Sequence, residues 1–104
     1  MGLSFSLFNV AQLHQLLGKA EELVMNKAVQ EGTNWLTNTH AMNAVVDQLV
    51  VWGDSELTWT WLPPTLAQLA EAEDGRAIRE LCELALHAAV RSLLQHDELP
   101  NVRG

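Results

Sequence analysis

Cysteine and basic residues are scarce in this sequence. Cys82 is the only cysteine among 104 residues, which excludes an internal disulfide and is typical of a reducing compartment. Six lysines and arginines stand against thirteen aspartates and glutamates, so the formal net charge is −7. Because this charge repels phosphates and anionic lipid headgroups, it argues against nucleic-acid and membrane partners. We therefore expect a cytoplasmic protein.

Long apolar runs are also missing. No stretch approaches the roughly 18 apolar residues of a membrane-spanning helix, and the N-terminus lacks the basic start and cleavage site of a secretory signal. Residues 1–6 satisfy the loose acceptor rule for N-myristoylation, but one acyl chain without a basic patch attaches only weakly to membranes. We interpret residues 1–8 as an apolar N-terminal arm, either extended or leading into the first helix.

Groups equipped for chemistry are absent as well. None of the four histidines stands three or four residues from another histidine or from Cys82, which is the spacing of a helical zinc site. Cys82 lies on an apolar helix stripe, where a thiol is a small core residue. No glycine-rich phosphate loop occurs. We therefore predict no catalytic residues, no metal and no cofactor.

What is present is apolar periodicity, which predicts a mostly α-helical single domain over residues 1–104 with four helices. The first helix is expected from Val10 to Glu31, with Asn9 as N-cap and Gly32 as terminator. Gly18 in its middle is expected to mark a bend or a close helix contact. The polar side of this helix is expected to carry Gln12, Gln15, Lys19, Glu22 and Asn26.

The remaining helices follow from the same spacing. Residues 33–39 are polar and predict a connection with room for one helical turn. The second helix starts after Thr39 as N-cap and ends near Gly53, and the third runs from Pro64 to Asp74. The fourth begins at Arg76, and residues 97–104 are expected to be a loose tail. The apolar stripe of the fourth helix comprises Ile78, Leu81, Cys82, Ala85, Leu86, Ala89, Val90, Leu93 and Leu94.

Aromatic residues are few, but four of them are tryptophans. Between Glu56 and Leu62, strict alternation puts Leu57, Trp59 and Trp61 on one face, which is typical of a half-buried strand. The two prolines that follow end the strand because they do not donate to a sheet ladder. The sequence thus predicts one short tryptophan-containing strand or extended segment between helices two and three, pairing across a dimer.

Tryptophan side chains often dominate the binding energy of protein interfaces. For Trp35 and Trp52, filling the core is an equally good interpretation. The candidate partner-binding or dimer residues are Leu57, Trp59, Trp61, Leu62, Trp52 and Trp35.

These observations favour a non-enzymatic protein–protein interaction module. We expect a small regulator that forms a homodimer and binds a larger protein as an inhibitor or anti-activator. The alternative is a small-molecule binding domain, with a pocket lined by the four tryptophans and a ligand oriented by His40 or Asn43. An enzyme with a dispersed site and a purely structural subunit are further alternatives.

Overall fold

The computed structural model describes residues 7–59 and 76–99. Within these ranges the chain forms three α-helices, α1 (Leu7–Glu31), α2 (Thr39–Glu56) and α3 (Arg76–Gln95), and one 3-10 helix, Asn34–Thr37. No strand occurs within them. The predicted all-α class is therefore confirmed. The predicted helix from Pro64 to Asp74 lies outside the described residues, so the count of four helices is not supported.

Helix α1 owes its core face to residues spaced by four. Leu16, Ala20, Val24 and Ala28 are fully buried, because positions four apart lie above one another on one side of a helix. The helix ends as predicted at Gly32, whose φ of 80° is the left-handed conformation that favours glycine. The helix already includes Leu7, so the predicted start at Val10 is wrong.

Two residues of α1 differ from their predicted roles. Asn9 lies inside the helix and so is not its N-cap. Gly18 is exposed, and a Cβ added there meets no atom within 4 Å. The expected close helix contact at Gly18 is therefore wrong.

Helix α2 is capped by Asn38, whose side-chain oxygen accepts a hydrogen bond from the Ala41 amide at 3.0 Å. Thr39, the predicted cap, is instead the first helical residue. Asparagine accepts this bond readily and is among the preferred N-caps. The connection before the helix contains the single helical turn for which the sequence has room.

The end of α2 corrects two predictions. The helix continues past Gly53 to Glu56, and the Leu57 amide still donates to the Gly53 carbonyl oxygen at 2.8 Å. The strand expected over 56–62 is not supported, because Glu56 is helical and Trp59 belongs to a 3-10 turn. Residues 60–62 lie outside the described part of the chain.

Helix α3 ends in a Schellman motif. The Glu98 amide donates to the Leu93 carbonyl oxygen at 2.8 Å, and the Asp97 amide donates to that of Leu94 at 3.1 Å. Asp97 has a φ of 60°, as the residue after such a helix end requires. Leu99 then packs against the core. The remainder of the predicted tail lies outside the described residues.

The three helices share one core. Buried alanines on α1 (Ala20 and Ala28) and on α3 (Ala85 and Ala89) allow these two helices to approach closely. Val45, Val46 and Leu49 of α2 complete the cluster. Its buried members are Leu16, Ala20, Val24, Trp35, Val45, Val46, Leu49, Leu57, Cys82, Ala85, Leu86, Ala89 and Leu93.

Candidate protein-interaction site

The six predicted site residues fall into three groups. Trp35 and Leu57 are buried in the core, with Trp35 only 4% exposed. Trp52 and Trp59 are half-buried, so part of each indole faces solvent. Trp61 and Leu62 lie outside the described residues. Of the described members, only Trp52 and Trp59 present part of an aromatic side chain to solvent.

Trp59 is held against the end of α2. Its indole lies over Gly53, where an added Cβ would approach the ring carbon Cζ2 to 2.4 Å. The indole Nε1 donates to Asp54 Oδ1 at 2.8 Å. Glycine at position 53 thus provides the space for the ring, and Asp54 satisfies its polar atom. The orientation of Trp59 is fixed by the helix beneath it.

The backbone before Trp59 is tied to α1 by Gln12. The Gln12 side-chain oxygen accepts a hydrogen bond from the Thr58 amide at 3.0 Å, and Gln12 is only 7% exposed. Buried polar groups need such partners. Leu57, one residue earlier, is anchored in the core. The segment 57–59 is therefore positioned by both helices.

Gln12 was expected on the polar side of α1, and that prediction is wrong. It lies one turn before Leu16, on the same row as the four fully buried residues of α1. The spacing of four residues that runs from Gln12 to Ala28 was the sequence signal that Gln12 is buried. Gln12 faces the core because its side-chain oxygen accepts the hydrogen bond of the Thr58 amide there.

Trp52 lies on the side of α2 that faces α1. The Lys19 ammonium nitrogen is 6.0 Å from the centre of its ring, at the limit of a cation–π contact. Lys19 also pairs with Glu22 at 3.4 Å. We define the exposed parts of Trp52 and Trp59, which both lie at the C-terminal end of α2, as the indole surface.

A separate cleft lies between the start of α2 and α3. It encloses about 290 Å³, and its lining comprises Leu36, Thr37, Thr39, Met42, Asn43, Val46, Glu83 and His87. No described tryptophan lines it, and His40 does not line it. Of the residues expected to orient a ligand, only Asn43 is present there.

Beside this cleft, Arg79 joins α3 to α2. Its guanidinium donates to Asp47 Oδ1 and to Asn43 Oδ1, the latter at 3.3 Å, and lies 3.6 Å from Glu83 Oε2. The hydrogen bond to Asp47 raises the pKa of Arg79. The network positions Asn43 and Glu83 on opposite walls of the cleft.

Cys82 lies fully buried on the core face of α3. Burial, with a smaller contribution from the nearby Asp54 carboxylate, raises its pKa to about 12. The thiol is therefore protonated at neutral pH and is not a nucleophile. Within residues 7–59 and 76–99, no three histidine, cysteine or acidic side chains are grouped so as to hold a metal ion.

Comparisons with protein families, curated proteins and solved structures found no match to this chain. Among the described helices, none combines the length and apolar composition that a membrane crossing requires. The site is therefore interpreted from its own geometry.

Proposed function

We propose that this chain is a non-enzymatic interaction module that forms a homodimer and binds a larger protein as an inhibitor or anti-activator. The observation that supports it best is the indole surface, where Trp52 and Trp59 are each half-buried and Trp59 is held against Gly53 and Asp54. A reduced, buried Cys82 is compatible with the cytoplasmic location that we propose with it.

Fixed indoles suit a docking role for energetic reasons. Binding immobilises the side chains at an interface, and each flexible side chain that is immobilised costs about 0.5–1.5 kcal/mol of binding free energy. The contacts of Trp59 with Gly53 and Asp54 already order this side chain when the chain folds. Binding therefore does not have to order it again. A tryptophan that presents one face to a partner then contributes apolar contact at little entropic cost.

The charge of the chain indicates the kind of partner. A net charge of −7 favours encounter with a surface of positive potential. We propose a partner with an apolar groove for the indoles and basic residues around it. The hydrogen bond from Trp59 occupies one oxygen of Asp54, and its other oxygen is a candidate acceptor for such a basic residue.

Site-specific photo-crosslinking in the source cell tests the docking role. A photoreactive amino acid replaces Trp52 or Trp59, and position 29 serves as the matched control because Val29 is 63% exposed on the outside of α1. We expect one protein to be cross-linked from positions 52 and 59 and not from position 29. Equal labelling from all three positions would contradict the proposal.

Once the partner is known, its affinity tests the same residues quantitatively. Truncation of a central interface tryptophan costs about 2 kcal/mol or more, so Trp59→Ala is expected to weaken binding by about 30-fold. Val29→Ala is expected to leave it unchanged. Circular dichroism must show that each variant keeps its helices.

The cleft between α2 and α3 supports a second candidate function, small-molecule binding. Apolar Leu36, Met42 and Val46 and polar Asn43 and His87 give it the mixed lining of ligand pockets, and its volume is near their lower limit. A ligand there would shift the NMR signals of Asn43 and His87 but not those of the Trp59 indole. Saturable shifts in a metabolite screen would favour this function.

A further inference from the structure

The outer face of α3 carries a stripe of exposed residues with a self-complementary pattern. Glu80, Leu84, Ala88 and Arg91 are all exposed, and Leu84 is 66% exposed. Their spacing of four, four and three places them on one side of the helix. The core residues of α3 lie on the opposite side, so the bundle does not cover this stripe. We call these four residues the α3 stripe.

The pattern is complementary to itself when the helix direction is reversed, because an acid at one end meets a base and a large apolar residue meets a small one. Glu80 lies one turn before Leu84, and Arg91 lies one turn after Ala88. A two-fold axis between Leu84 and Ala88 brings a second α3 antiparallel to the first. Leu84 of one copy then faces Ala88 of the other, and Glu80 faces Arg91 of the other. Glu80 and Arg91 lie on the same flank of the stripe, so both ion pairs form together.

Arg91 is the basic group that this arrangement would employ. Lys19, Lys27 and Arg79 each have a carboxylate partner within their own chain. Among the described residues, Arg91 has no ion pair with a carboxylate, and Glu80 has no ion pair with a basic side chain. A chain with a net charge of −7 repels a second copy of itself on average. The α3 stripe offers each acid a base instead.

We propose that the α3 stripe is a dimerisation surface for a second copy of this chain, packed antiparallel through Leu84 and Ala88 and aligned by reciprocal Glu80–Arg91 ion pairs. A large side chain against a small one allows the two helices to pack closely. Glu83 and His87 border the stripe on the flank of the ion pairs. A symmetric surface of this kind is the commonest interface of homodimers.

The size of the surface sets the expected affinity. One helix face buries less than the roughly 1,200 Å² of stable interfaces, so a weak dimer is expected, with a Kd on the order of 10–100 μM. This inference rests on the dimer in the proposed function and assigns its interface to α3 instead of the tryptophan segment. It does not depend on docking through the indole surface.

Sedimentation equilibrium of the full chain tests the apolar part. We expect the wild-type protein to associate reversibly and Leu84→Glu to weaken the dimer by at least 30-fold. Val51→Glu is the matched control, because Val51 is 68% exposed on the outside of α2, and it is expected to leave the dimer unchanged. Circular dichroism of both variants is expected to match that of the wild-type chain, since neither residue is in the core.

A charge exchange tests the antiparallel alignment. Glu80→Arg alone and Arg91→Glu alone each replace two attractions with two repulsions, and each is expected to weaken the dimer by about tenfold. The double variant restores opposite charges and is expected to return to within about threefold of the wild-type Kd. Simple loss of surface charge would not produce this rescue.

The possible failures are distinct. A chain that is monomeric at millimolar concentration overturns both the stripe and the dimer in the proposed function, and leaves docking to be judged by cross-linking. A dimer that persists in Leu84→Glu, or is lost in Trp59→Ala, overturns the stripe alone. A double charge variant as weak as the single variants overturns the antiparallel alignment.

Discussion

At the scale of single residues, Gly53 carries the strongest constraint, because the Trp59 ring occupies the position of its missing side chain. Gly53→Ala is expected to displace the indole, break its hydrogen bond to Asp54 and expose it further to water. The emission maximum of tryptophan fluorescence should move to longer wavelength while circular dichroism stays constant. Unchanged emission would show that Trp59 is not held in this position.

Gly18 provides the matched control within another helix. Its Cβ position is open, so Gly18→Ala removes only the backbone-entropy cost of a helical glycine. We expect the free energy of unfolding to rise by up to about 1 kcal/mol, measured by urea denaturation. Tryptophan emission should not change. A loss of stability would contradict the open environment of Gly18.

Cys82 predicts a dependence of stability on alkaline pH. Its pKa is about 12 in the folded chain and about 8.5 when exposed, so the unfolded chain loses this proton first. The contribution of the neutral thiol is complete below the unfolded value, and stability falls as pH rises from about 9 towards 12. Cys82→Ala should flatten this decline in denaturation curves recorded across that range. An equally steep decline in the variant would contradict it.

At the scale of elements, the end of α3 combines a good hydrogen-bonding motif with an unfavourable residue. Asp97 adopts a φ of 60°, which costs a side-chain-bearing residue about 1 kcal/mol relative to glycine. Asp97→Gly is therefore expected to raise the melting temperature by a few degrees. Glu98→Gly, at a residue without positive φ, should lower it slightly. The opposite order would contradict the motif.

Elements specified by local pattern were predictable, and those specified by distant contacts were not. The apolar spacing from Ile78 to Leu93 gave the fourth predicted helix from Arg76, now α3. The segment after α2 alternates like a strand, yet its conformation depends on Gly53 below the Trp59 ring and on Gln12 of α1. No local rule connects residues so far apart in sequence.

At the scale of the whole molecule, part of the candidate site was also predictable. Tryptophan content pointed to Trp52 and Trp59, which retain exposed surface. It did not separate them from Trp35, because an indole fills a core as well as it forms an interface. Which tryptophans are buried and which are partly exposed depends on how the helices pack against one another. Trp35 is buried with its Nε1 unpaired among the described residues.

The hydrogen bond from the Thr58 amide to Gln12 joins the first helix to the chain beyond the second. Gln12→Ala leaves this amide without its partner in a partly buried site, which is expected to lower the free energy of unfolding by about 1–3 kcal/mol. Gln15→Ala on the exposed side of α1 is the control, with an expected change within about 0.5 kcal/mol.

Urea denaturation followed separately by circular dichroism and tryptophan fluorescence measures both variants. Because Thr58 precedes Trp59, we expect Gln12→Ala to alter the native fluorescence as well as the midpoint. Equal midpoints for the two variants would mean that the bond contributes nothing to folding. In that case the Trp59 indole would keep its orientation against Gly53 and Asp54 without the contribution of Gln12.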